Sequence, residues 1–121
     1  MSSSDIVHKR LEQRIQEIVS TMIVTGDIKH HNLSSFVSIK EVSLSKDKAY
    51  ATLWVSSFVE HEALDASVEA LNSAASFIQR RLGVLLKTKN TPKLTFKADT
   101  SFEEGLKVHQ LIDSLTYSDD E

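Results

Sequence analysis

A chain of 121 residues is one domain with room for a core of its own. With 40 % hydrophobic and 26 % charged residues it is not a disordered chain, and without cysteine it has neither disulfides nor thiolate zinc sites. A net charge of −3 argues mildly against a nucleic-acid binder, yet the charge is segregated along the chain, and that asymmetry says more than the sum.

The start, Met1-Ser2-Ser3-Ser4-Asp5, lacks the basic and apolar pattern of a signal peptide. No apolar stretch approaches the ~18–20 residues that span a bilayer. The expectation is a soluble, cytoplasmic protein.

Val7, Leu11, Ile15, Ile18, Val19, Met22 and Ile23 recur at helical spacing and predict a first helix. Ser4 or Asp5 is a candidate cap for its start, and Gly26 a candidate end. Asp27 to Ser35 reads as a loop. Phe36 to Leu44 reads as a strand whose alternation changes phase, Val37 and Ile39 being followed by Val42 and Leu44. One extra residue near Lys40 or Glu41, a bulge, explains the change. Ser45-Lys46-Asp47-Lys48 is a polar turn, and Ala49, Ala51, Leu53 and Val55 alternate with polar or aromatic residues in a second strand.

A long helical region follows. Leu64, Val68, Leu71 and Ala75 form one apolar stripe, and Ile78, Leu82, Leu85 and Leu86 continue it toward the core. Small residues from Ser73 to Ser76 interrupt it, so a bend is expected there. Thr91-Pro92 is the expected helix stop. Leu94 to Ala98 is a short third strand, and Ser101-Phe102-Glu103-Glu104 opens a last helix with Val108, Leu111, Ile112 and Leu115 on its face. The order predicts an α+β domain, a three-stranded sheet covered by helices on one face, with a crossover between the second and third strands. Residues 1–116 form the domain, and 117–121 an acidic, disordered tail.

From Ser73 to Ala98 there is no acidic residue, while Arg80, Arg81, Lys87, Lys89, Lys93 and Lys97 all fall there. On a regular helix Ser76, Arg80, Gly83 and Lys87 share one face, opposite the apolar stripe. That face is a candidate track for a nucleic-acid backbone, with an uncrowded patch at Gly83, Arg81 on its flank, and Lys87, Lys89 and Lys93 extending the positive field. A bend at Ser76 leaves free N–H groups suited to phosphate. A solvated helix face carrying ordinary surface charge is the competing reading.

Other candidates are weaker. Tyr50 and Trp54 share a strand face and invite base stacking, but the element order is not that of an RNA-recognition motif, and packing or partial exposure is preferred. Adjacent His30 and His31 do not converge on a metal. Glu60, Glu62 and Asp65 suit the first turns of a helix. There is no Gly-rich phosphate loop and no nucleophile with a credible base, so neither catalysis nor a cofactor is expected.

Leu71-Asn72-Ser73-Ala74-Ala75-Ser76-Phe77-Ile78, Leu82-Gly83, Thr91-Pro92-Lys93-Leu94-Thr95-Phe96 and Asp99-Thr100-Ser101 with Gly105, together with the hairpin blocks Val37 to Ser45 and Ala49 to Ser56, resemble the ribosome-binding factor A family. The resemblance runs from about Ile6 to Leu115. It implies a KH-like fold of the second type, ordered helix-strand-strand-helix-(kink)-helix-strand-helix, with an Ala-x-Gly kink that falls here on Ala74, Ala75 and Ser76. It implies a cytoplasmic, non-enzymatic factor that binds the 30S subunit and its 16S rRNA, assists late maturation including 5′-end processing, and is associated with cold adaptation. Ser76 departs from the family's usual glycine, and His30 to Ser34 from its usual strand entry.

RNA-binding is therefore expected at Ser76, Arg80, Arg81, Lys87, Lys89 and Lys93, in a monomer with no membrane partner, other assembly factors being further candidate partners. Two alternatives stand beside it: a general single-stranded RNA binder, and a protein-interaction module using the Trp54 face or the acidic first half of the long helix.

Overall fold

A computed structural model describes residues 3–34, 36–57, 61–87 and 90–99. The expected last helix and acidic tail, and Lys89, lie outside the described residues. The elements are α1 (Ser3–Thr25), β1 (Val37–Leu44), β2 (Tyr50–Ser57), α2 (His61–Ser73), α3 (Ala75–Leu86) and β3 (Lys93–Ala98).

The three strands form one sheet in the order β1-β2-β3. β1 and β2 are antiparallel, and β3 runs parallel to β2, as the helical crossover requires. The register shifts between Ile39 and Glu41, where the change of phase predicts a bulge. The extra residue keeps Val37, Ile39, Val42 and Leu44 all buried on one face. Ala51, Leu53 and Val55 of β2 and Leu94 and Phe96 of β3 join them. α1 packs on β1, α2 on β2 and β3, and α3 on β3 and α1, so the helices fill the buried side. Ile15, Val19, Met22, Leu71, Ile78 and Leu82 are their main core contributions.

Several local expectations change. α1 begins at Ser3, so Ser4 and Asp5 lie inside its first turn, past the N-cap position. Gly26 does end it, at φ +78, a left-handed conformation that costs glycine little. α3 ends well before Pro92, at Lys87, whose own left-handed backbone turns the chain and whose N–H donates to the Gly83 carbonyl at 3.0 Å. Pro92 is instead buried at the entry to β3. Leu85, expected in the core, is 44 % exposed, because α3 buries only a narrow stripe.

Both edges of the sheet are held by helix side chains. At the β1 edge, Glu12 accepts the Leu44 N–H at 2.8 Å and His8 donates to the Leu44 carbonyl at 3.2 Å. Gln16 donates to the carbonyls of Ile39 and Lys40 at 3.0 and 3.2 Å, beside the bulge. These three residues sit four apart, so one row of α1 serves the whole edge. At the β3 edge, Asn72 donates to the Phe96 carbonyl at 2.9 Å and accepts the Phe96 N–H at 2.8 Å. An amide side chain thus replaces the strand that an open edge would recruit. The hairpin turn is closed the same way: Asp47 accepts from the Ser45 hydroxyl and the Ala49 N–H. Those bonds hold its carboxyl below the ordinary carboxylate value.

Replacing Asn72 by alanine is predicted to cost about 1–2 kcal/mol, since two edge groups lose their partner and regain only water. Urea unfolding measures it; a midpoint equal to that of the parent protein contradicts the clamp.

Candidate nucleic-acid interface

The expected bend is present, at Ala74, two residues before Ser76. Ala74 alone separates α2 from α3, with φ −93 and ψ 5. Its N–H is shared between the carbonyls of Ala70 and Leu71, both at 3.1 Å, which tightens the last turn of α2. Its carbonyl accepts the Ile78 N–H at 3.0 Å and starts α3. Ala74 has no side chain to cap the new helix. Ser76 is already the second residue of α3, exposed at its start, so it lies beside the first-turn N–H groups rather than acting as the cap.

Ser76 and Arg80 are exposed on the outside of α3, as the helical spacing predicts, while Ile78 and Leu82 are buried beneath them. Lys87 is exposed as well, but at the left-handed C-cap, where helical spacing no longer directs its side chain. Gly83 is not the open patch expected on that face. A Cβ there would stand 2.6 Å from the Thr91 hydroxyl, so the loop before β3 lies directly against the helix. Gln79 reinforces the contact by donating to the Thr91 carbonyl at 3.1 Å. A shallow groove of about 420 Å³ remains beside it, lined by Gln79, Arg80, Gly83, Asn90 and Thr91.

The basic run does not form one continuous surface. Arg81 faces Asp27 at 3.8 Å, an acid delivered by the end of α1, with both side chains about half exposed. Such a pair is weak and leaves the guanidinium available to a phosphate. Lys93 alternates with buried Leu94 and therefore stands on the open side of the sheet, away from α3, next to Tyr50 and on the same side as Lys97. Tyr50 is 61 % exposed and Trp54 half-buried on that open side, in keeping with partial exposure.

The loop at His30 and His31 is structural in character. The two rings stack at 5.0 Å, and His30 Nδ1 accepts the Asn32 N–H at 3.2 Å. Ser67, fully buried on α2, anchors the same loop by accepting the Ser34 N–H at 3.0 Å. Sequence reading missed Ser67 and Asn72; a polar residue within an apolar stripe was the available signal for the first. No cluster of three or more potential metal ligands occurs among the described residues. No described helix is long and apolar enough to cross a membrane.

Fold and surface together define a small α+β domain with a kinked helix pair crossing between parallel strands and a cationic outer helix. The sequence profile of the family Ribosome-binding factor A matches residues 7–112. Ribosome-binding factor A from Clostridium botulinum strain Hall is 36 % identical over 106 residues, 88 % of each chain. That from Treponema denticola is 38 % identical over 111 residues, 92 % of this chain and 84 % of the relative. The crystal structure of ribosome-binding factor A from Thermus thermophilus superposes with a TM-score of 0.65 at 22 % identity, covering 75 % of this chain and 93 % of that one. The solution structure of a Thermotoga maritima protein described as a putative ribosome binding factor A gives a TM-score of 0.59 at 26 % identity, covering 77 % and 83 %. The chain belongs to the ribosome-binding factor A family.

Gly83 and Thr91 are predicted to be energetically coupled. With Thr91→Ala already in place, Gly83→Ala should stabilise the protein by about 1 kcal/mol through helix propensity. With Thr91 present the clash should cancel that gain. A double-mutant cycle by urea unfolding reads the difference, and additive effects would refute the contact.

Proposed function

We propose that this protein binds the 30S ribosomal subunit through its 16S rRNA and assists late maturation, including processing of the 5′ end. The observation that carries the reading is exposed Arg80 on the outer face of α3, opposite its buried stripe, with exposed Lys87 at the C-cap of the same helix, in a chain of this family. A Thermus thermophilus relative, 22 % identical and with a TM-score of 0.62, is known as a homology model fitted into a cryo-EM map of a 30S–RbfA complex, which supports the same partner here.

Ser76, Arg80, Arg81, Lys87, Lys89 and Lys93 are the proposed RNA contacts. The arginines and lysines neutralise phosphates and release counterions, and Ser76 adds a hydroxyl at the start of α3. Lys93 reaches RNA from the opposite side of the sheet, so the RNA would pass around the β3 entry rather than along one helix. The mechanism is stabilisation of one rRNA conformation by differential binding, without catalysis. The protein acts as a cytoplasmic monomer, a single KH-like domain over residues 1–116 with an acidic tail. Its role extends to cold adaptation, and other assembly factors are candidate partners on the subunit.

Arg80→Glu with Lys87→Glu is predicted to weaken co-sedimentation with purified small subunits by roughly tenfold or more at moderate salt. The thermal unfolding midpoint should stay near that of the parent protein, since both side chains are exposed. Undiminished co-sedimentation would remove α3 from the interface.

A further inference from the structure

Cations outside the basic run meet it in the folded protein. Val7, Arg10, Leu11 and Arg14 share one face of α1, at the helical spacing of three and four residues. Arg10, Arg14 and Val7 form one wall of a groove of about 520 Å³, and Lys48, Asn90 and Pro92 the other. Lys48 sits at the tip of the β1–β2 turn with φ 61. Asn90 also lines the groove that holds Arg80 and Gly83. The two grooves therefore adjoin, and together they carry Arg10, Arg14, Lys48 and Arg80 with no carboxylate among their lining residues.

Folding creates this separation of charge. Glu12 lies between Arg10 and Arg14 in sequence, yet it turns to β1 and accepts the Leu44 N–H. Asp47 adjoins Lys48, yet it is bonded into its own turn by Ser45 and Ala49. Both acids are occupied by backbone or turn hydrogen bonds, while among the described residues no carboxylate pairs with Arg10, Arg14 or Lys48. The groove is also amphipathic. Val7 is 49 % exposed, and half-buried Leu11 lines the groove beside it. Spaced cations beside an apolar wall are what a single strand requires, phosphates for the charges and a base face for the wall.

We propose that the groove between α1 and the β1–β2 turn is a second RNA-backbone site, continuous through Asn90 with the Arg80 groove. A single-stranded segment of rRNA crosses this end of the domain from α3 to α1. Arg10, Arg14 and Lys48 neutralise its phosphates, and Val7 and Leu11 pack against a base. The assignment rests on the reading of the protein as an rRNA binder and extends it to a surface that the basic run does not include.

The test compares the full chain with Arg10→Gln/Arg14→Gln, Lys48→Gln and Arg80→Gln. Binding to purified small subunits and to an oligouridylate of about 10 nucleotides is measured over a range of salt. The double variant should bind subunits roughly tenfold more weakly, and the slope of log affinity against log salt should fall by about 1.4, or ~0.7 for each lost phosphate contact. Lys48→Gln, on a different element, should lower the slope by about 0.7 and guards against a local effect on α1. The oligonucleotide should respond in the same direction. Unchanged affinity and slope in the double variant, with Arg80→Gln still weakened, would overturn the second site and leave the α3 reading intact. Weaker subunit binding with an unchanged salt slope and no effect on the oligonucleotide would make the groove a protein contact, and the RNA assignment would fall. Failure of the parent protein to bind either probe would overturn the rRNA reading itself.

Discussion

The geometry of the outer helix depends on one side chain at the end of α2. Asn72 holds both the N–H and the carbonyl of Phe96 at the free edge of β3. The helix breaks two residues later, at Ala74, so the clamp fixes the point from which α3 departs. Gly83 then lets α3 lie against Thr91, and Gln79 bonds to the same residue, fixing its far half to the loop before β3. Between these two attachments to β3 and its entry loop, Ile78 and Leu82 are buried. Arg80 has no freedom to face anywhere but outward.

α1 shows how one helix divides its surface among three tasks. Ile15, Ile18, Val19, Met22 and Ile23 supply the core. His8, Glu12 and Gln16 close the edge of β1, including the carbonyls beside the bulge. Arg10 and Arg14 are left for solvent. Glu12 stands two residues from each arginine and so points to a different side of the helix, where it serves the edge and leaves the cationic row uncompensated. A protein of net charge −3 can thus present a locally positive surface without a basic composition.

Much of this was legible in the sequence, and where it was not the reasons are physical. The strands, the bulge and the kink follow from periods of two and 3.6 and from their interruptions, which are local signals. The order of elements gives the crossover, and the family blocks place the kink on Ala74, Ala75 and Ser76. The helix stop was misplaced because Lys87 adopts a left-handed backbone, which a lysine does not advertise, while Pro92 does advertise a break. Gly83 lay on the predicted face, but helical spacing cannot say that a loop covers it. The pairing of Arg81 with Asp27 joins residues far apart in the chain, and only tertiary structure brings them together. Lys93 differs: its alternation with Leu94 and Phe96 sends it to the far side of the sheet, a period-two signal that cuts across the cationic run.

The central claim is that a cationic surface, aimed by the Asn72 clamp, binds small subunits by phosphate neutralisation. Gradient sedimentation of a cell extract at low and raised salt, with this protein followed through the fractions, tests it most directly. The account predicts co-migration with free small subunits at low salt, progressive loss as salt rises, and absence from translating ribosomes. A position at the top of the gradient at every salt would contradict it.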